Sequence, residues 1–292
     1  IHGQSPLPIL HLMAEQGSGK TGVLKMLRQL IDPSTDQGGA LPVNEEAFAL
    51  SALNSWLLTY DNVSSIPPSK RDLLCRASTG GTVRKRQLYT DSDEKTYSFM
   101  RPIIITAINL GTSSPDLTER MVRVELHRIA PANRLTDDQV KQLWTEYRSG
   151  VYGSLLTLAA HVQQLLASGS FDDIDKPRMA DFGLVLAALD SIMGTDGLGA
   201  YRRQQTEMAV ETVADEPTFL ALDLRSAQFR EPWTGTSRLL LSKLRDVFNQ
   251  GDLQTWKKPP QSAPDLTRAI DICAPSLRQR GWTIESRKGT HN

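Results

Sequence analysis

The chain carries no excess charge of either sign. Its 33 Lys and Arg balance 33 Asp and Glu, for a formal net charge of +0 over 292 residues. A global field drawing it to nucleic acid or to an anionic membrane is thereby excluded, and any such contact must come from local basic clusters. Cysteine is almost absent: only Cys75 and Cys273 occur, without metal-ligand spacing. That argues against a disulfide framework and fits a reducing cytoplasm. No apolar run approaches membrane-spanning length and no secretory signal opens the chain, so no membrane partner is expected. Five scattered His residues offer no metal pair, and His11 lies inside an apolar run where a core histidine is expected. No serine has the surrounding turn that a Ser-His-Asp nucleophile needs. Internal repeats and long low-complexity segments are also missing.

What is present begins with a glycine-rich turn entered from an apolar run, Pro8-Ile9-Leu10-His11-Leu12-Met13. The turn reads Ala14-Glu15-Gln16-Gly17-Ser18-Gly19-Lys20-Thr21, with Gly22 following. Gly17 and Gly19 let the backbone turn its N–H groups inward. Lys20 can neutralise the β- and γ-phosphates of a nucleotide, and the Thr21 hydroxyl can bind Mg²⁺. A helix carrying Val23, Leu24, Met26, Leu27 and Leu30 then points its N-terminus at the anion. The expected ligands are therefore ATP and Mg²⁺. Ala14 stands where the usual pattern has its first glycine.

Periodicity predicts a strand over 8–13, a helix over 20–31, a short helix near 44–53 and a second strand over Ser55–Asp61. A helix over Pro68–Ser78 stops at Thr79-Gly80-Gly81. Alternation from Thr82 to Met100 around the polar Asp91–Glu94 predicts a hairpin. Pro102–Ile108 is the most strand-like segment and belongs mid-sheet. Another strand is expected over Val122–Leu126, and from Pro131 to about 220 the spacing is helical. Thr236–Phe248 predicts one amphipathic helix and Pro264–Arg280 one or two more. Gly281–Gly289 reads as a two-stranded wing, an order that fits a winged helix-turn-helix. The expected fold is α/β: a P-loop core over 1–130, a helical lid over 131–225 and a winged-helix module over 226–292. Because Ile1 stands almost directly on the first strand, a longer polypeptide with a preceding N-terminal part is expected.

Hydrolysis needs a carboxylate that holds the metal and a group that positions water. Asp61 closes its apolar run about forty residues after Lys20 and is the metal-holding choice. Asn62 follows where many such ATPases have Glu. Three alternatives stay open: Asn62 orients water weakly, Glu15, Glu45 or Glu46 reaches the site, or turnover is slow. Thr106 and Asn109, at the C-terminal end of the strand expected between the loop and Asp61, are the candidates to sense the γ-phosphate. Ser114–Arg120 predicts a short helix ending in a cation. At that place in ring-forming ATPases an arginine reaches the neighbouring subunit's γ-phosphate, which makes Arg120 the candidate, with Arg101 and Arg123 as alternatives.

This ordered set resembles an AAA+ ATPase. More narrowly, Tyr60-Asp61-Asn62-Val63-Ser64, Leu74–Gly81, Arg101-Pro102-Ile103-Ile104 and Pro115-Asp116-Leu117-x-x-Arg120 are similar to the ATP-binding proteins of phages and mobile elements that accompany primase-polymerases and resemble superfamily III and MCM-like helicases. The resemblance implies a ring, hexameric in the family's usual form, with ATP between subunits and a primase-polymerase as partner or fused domain. It also implies a nucleotide-binding arginine where the last lid helix begins, matched by Arg178 after Pro177. The hairpin would enter a central channel, where Arg84, Lys85 and Arg86 meet DNA phosphates. In the C-terminal module Arg268, Arg278, Arg280, Arg287 and Lys288 surround the expected recognition helix and wing, for duplex or forked DNA. The function expected is an ATP-driven DNA helicase or translocase of a phage or mobile-element replication module. The alternative is an ATP-dependent switch or loader that docks a partner without unwinding.

Overall fold

In the computed structural model, residues 5–34, 38–86, 94–108, 110, 114–225, 233–249 and 258–285 are described. The chain forms two compact units, Ile1–Gln204 and Gln205–Asn292, and the division falls within one helix.

The first unit is built on a four-stranded parallel sheet. Its strands are β1 (Ile9–Ala14), β2 (Leu58–Tyr60), β5 (Ile103–Ala107) and β6 (Met121–Leu126), in the order β2-β5-β1-β6. β5 is buried along its whole length and lies between β1 and β2, the mid-sheet place its unbroken apolar run predicts. Parallel neighbours need crossover connections, and helices supply them. α1 (Lys20–Ile31) packs Leu24, Val23 and Leu27 with Leu12, Leu57 and Ile104 in a core cluster of the sheet. α2 (Glu45–Asn54) starts where the Asn44 side chain accepts the Ala47 N–H at 2.8 Å, and α3 (Pro68–Thr79) starts on a proline that needs no N–H partner.

β3 (Gly81–Arg86) and β4 (Glu94–Phe99) form the expected antiparallel hairpin, with Arg84 opposite Thr96 and Arg86 opposite Glu94. α4 (Pro115–Thr118) is the short helix before β6. α5 (Asp137–Ala167) begins with a reciprocal cap between Thr136 and Gln139, and α6 (Ala180–Met193) and α7 (Gly197–Val213) follow.

Two elements differ from expectation. The second strand shrinks from Ser55–Asp61 to Leu58–Tyr60, because the N–H groups of Trp56 and Leu57 both donate to the Asp32 carboxylate at 2.9 Å and not to a neighbouring strand. Arg178 lies before its helix and not in the first turn, since α6 starts at Ala180. Buried Met179 occupies the cap, and a Cβ on Gly183 would meet the Pro177 ring at 2.5 Å.

The second unit packs α8 (Pro217–Leu224), α9 (Ser237–Asn249) and α10 (Ala263–Gln279) around Phe219, Leu222, Leu241, Leu244, Leu266 and Leu277. Trp233 and Trp282 pack against this cluster as core residues, while Trp256 lies outside the described residues. α10 is one helix despite Pro275 in its interior. The wing expected over 281–289 has no strand among its described residues, 281–285; the remainder lies outside them. Both cysteines are buried and neither forms a disulfide.

Candidate functional site at the β1 loop

The loop from Glu15 to Gly19 joins the central strand to α1. Gly17 (φ 83°) and Gly19 (φ 78°) both take the left-handed backbone that a side chain resists. The Ser18 hydroxyl, buried inside the turn, donates to the Glu15 carbonyl at 2.8 Å and braces it. Ala14, in place of a glycine, is buried at the end of β1 and has no positive φ, so its methyl group costs the turn nothing. A Cβ on Gly22 would meet nothing within 4 Å. α1 has no side-chain cap and no acid in its first turn, which leaves its leading N–H groups and its partial positive charge to an outside anion. Lys20 opens that helix and has no ion-pair partner among the described residues.

Asp61 follows β2 directly, and two elements bring hydroxyl groups to it. The Thr21 hydroxyl donates to one carboxylate oxygen at 3.0 Å and lies 3.3 Å from the other. Thr106, fully buried on β5, donates to Asp61 at 2.5 Å and accepts the Asn62 N–H at 2.8 Å. One carboxylate thus gathers hydroxyls from α1 and from the middle strand. This hard oxygen set suits Mg²⁺, which takes few protein ligands and keeps its other places for water and phosphate. Among the described residues no group of three or more His, Cys, Asp or Glu could hold a metal ion.

Asn62 is the one described non-glycine residue with a positive φ, at 53°. Asn adopts that conformation far more readily than Glu, which gives a backbone reason for the departure at this position. Of the other water-positioning alternatives, Glu45 is held by Arg76 at 2.5 Å, Glu46 is exposed on α2, and Glu15 is exposed on the loop itself. Asn109 lies outside the described residues.

Arg120, the candidate to reach a neighbouring subunit's γ-phosphate, and Arg178, the candidate nucleotide-binding arginine, converge on one carboxylate. Arg120 pairs with Asp116 one turn away, and Arg178 reaches the same Asp116 oxygen at 2.8 Å while also pairing with Glu119. Burial opposes the charge on Asp116. Hydrogen bonds from Arg120, Cys75 and Arg178 outweigh that and hold its carboxyl below the usual range. Burial, then the bond to Asp116, pushes the Cys75 thiol up to about 12. The alternatives to Arg120 are committed elsewhere: Arg101 donates to the Ala52 and Ser55 carbonyls and lies over Trp56, and Arg123 lies beside Glu125 at 3.7 Å.

Among the candidate DNA contacts, Arg84, Lys85 and Arg86 are consecutive on β3. Arg278 and Arg280 are exposed at the end of α10, with Arg280 3.8 Å from Asp223. Arg287 and Lys288 lie outside the described residues. Two further cations escaped the sequence reading. After β6 the chain returns across the β1 loop, where the Ile129 N–H donates to the Gly17 carbonyl at 3.2 Å. A Cβ on Gly17 would lie 3.3 Å from Nη2 of Arg134 and 3.9 Å from Nε of Arg128. The only signal in the sequence was the cationic run His127-Arg128 with Arg134 just beyond Pro131.

Residues 1–210 match the family described as actinomycete integrative conjugative element replication protein. The chain belongs to that family. Residues 220–292 match its companion, the AICE RepA C-terminal domain, so the two matches together span both compact units. Membership makes this a replication protein of a mobile element. No curated protein matches the chain. Among the described residues no helix is long and apolar enough to cross a membrane.

Proposed function

We propose that the protein is the ATP-hydrolysing motor of its element's replication machinery, an AAA+-like DNA helicase or translocase working as a homo-oligomeric ring. The observation carrying this reading is the meeting of Thr21, Asp61 and Thr106 beside a loop with two left-handed glycines and an unpaired Lys20. Replication family membership supports DNA as the track, and the three consecutive cations on β3 supply a sequence-independent grip.

The chain's own groups divide the work. The loop N–H groups and Lys20 bind the phosphates, while Asp61 and the Thr21 hydroxyl are the protein ligands for Mg²⁺. That ion supplies charge neutralisation at the transferring phosphoryl group. Thr106 fixes the Asp61 carboxylate and, through the Asn62 N–H, the backbone beside it. Asn62 is then placed to orient water. Arg120, presented by Asp116, serves a neighbouring subunit's site, so a ring hydrolyses where a monomer does so poorly. A primase-polymerase partner follows from the resemblance.

The test is ATPase rate against protein concentration, with and without single-stranded and forked DNA, using Lys20→Ala as the blank. Cooperative, DNA-stimulated turnover supports the motor. ATP binding with turnover indifferent to DNA refutes it in favour of a nucleotide-dependent loader.

A further inference from the structure

We propose that Arg128 and Arg134 bind the nucleoside-proximal end of the nucleotide, its α-phosphate, so that the ligand is gripped from both sides of the β1 loop. The inference rests on reading that loop as a nucleotide site. Sheet order gives the geometry. β5 and β6 flank β1 on opposite sides. Thr106, and through it Asp61, reaches the loop from the β5 side and defines the metal-binding end. The chain leaving β6 reaches it from the other side, bonded to the Gly17 carbonyl through Ile129. Ile129 also presses on the turn, with its Cδ1 3.4 Å from a Cβ built on Gly19. A phosphate chain with its β- and γ-groups at Lys20 and Thr21 has its α-phosphate toward this second side.

The chemistry of the two arginines agrees. In the same unit Arg28, Arg76, Arg120, Arg123 and Arg178 each lie beside a carboxylate. Among the described residues Arg128 and Arg134 pair with none, and both are exposed. Arg134 is oriented by donating from Nε to the Ile129 carbonyl at 3.4 Å, which leaves its two terminal nitrogens for a ligand. A guanidinium fork matches two oxygens of one phosphate in a way lysine cannot. Two unpaired forks against an anion-binding turn are a complementary field without a present purpose inside the chain.

Nucleotide affinity of the whole chain, measured by titration calorimetry with ATP and with ADP, tests this for Arg128→Ala, Arg134→Ala and Arg134→Lys. Both alanine variants are expected to melt like the wild type, since the side chains are exposed. Each should weaken ATP and ADP by the same factor, about tenfold, as befits one charge-assisted contact to a phosphate that both ligands carry. Arg134→Lys should recover part of the loss. Wild-type affinity in both alanine variants, with Lys20→Ala binding abolished, overturns this inference alone. A loss for ATP without one for ADP moves the arginines to the γ-phosphate and also overturns it. Intact nucleotide affinity with weakened DNA binding assigns them to a DNA backbone. Failure of the wild type to bind either nucleotide sinks the reading of the loop itself.

Discussion

Replacing Thr106 by valine keeps the shape of a fully buried side chain and deletes one oxygen, which both donates to Asp61 at 2.5 Å and accepts the Asn62 N–H at 2.8 Å. A hydrogen bond to a charged group is worth about 1.5–3 kcal/mol. Asn62 is exposed, so its freed N–H regains water and adds little. The cost is therefore about 2–3 kcal/mol. In a unit of this size, melting falls by roughly 2–4 °C per kcal/mol, so a drop of about 4–12 °C is expected. The functional effect differs from the structural one. Asp61 keeps its Thr21 contact but loses the bond that sets its rotation, and Asn62 loses a tether holding it at positive φ. Turnover should fall at least about tenfold, a barrier rise of about 1.4 kcal/mol, with ATP affinity within a factor of about three of wild type. Thr106→Ser, which restores the oxygen, should recover turnover while leaving a stability deficit from the missing methyl. Scanning calorimetry and steady-state ATPase assays provide both readouts. Wild-type melting and wild-type turnover in the valine variant would refute the claim that this hydroxyl organises the site.

Three other outcomes follow from the same geometry. Burial, reinforced by the charge of Arg123, lowers the His11 pKa from 6.5 to about 4, and its Nε2 has no partner. The unfolded chain takes up the proton first as pH falls, so the stability His11 contributes is complete above pH 6.5 and is lost between there and pH 4. It amounts to about 3 kcal/mol. Denaturant unfolding across that window should show His11→Leu lacking this part of the wild-type slope; parallel curves would contradict the assignment. Asp116→Ala frees Arg120 and leaves Arg178 to Glu119 alone, so kcat should fall about tenfold at unchanged KM for ATP, and adding Arg120→Ala should cost little more; full additivity would uncouple Asp116 from Arg120. Arg120→Ala should itself bind ATP normally and hydrolyse it poorly. Mixing it with Lys20→Ala should restore some activity, whereas an inert mixture would contradict action between subunits.

Much of the first unit was legible because its signals are local. The unbroken apolar run Ile103-Ile104-Ile105 can only be a buried strand, and the glycine turn before Lys20 fixes where α1 begins. The missed features depend on distant partners. No periodicity shows that Asp32 captures the Trp56 and Leu57 N–H groups and shortens β2. Asn62 reads as a weak substitute for a glutamate until its left-handed backbone is known. Arg178 reads from sequence as a nucleotide-binding arginine at the start of the last lid helix, but Asp116 and Glu119 hold it at α4. Arg128 and Arg134 reach the loop only because the chain beyond β6 folds back onto Gly17, a consequence of sheet order that local pattern does not encode.

The central claim is that the β1 loop holds a Mg²⁺–nucleotide against Asp61. Calorimetric titration of ATP into the wild type and into Lys20→Ala, each with Mg²⁺ and with EDTA, tests it most directly. The account predicts binding to the wild type that strengthens with Mg²⁺, and its loss in Lys20→Ala at an unchanged melting temperature. Equal affinity in the two proteins, or none in either, would contradict it.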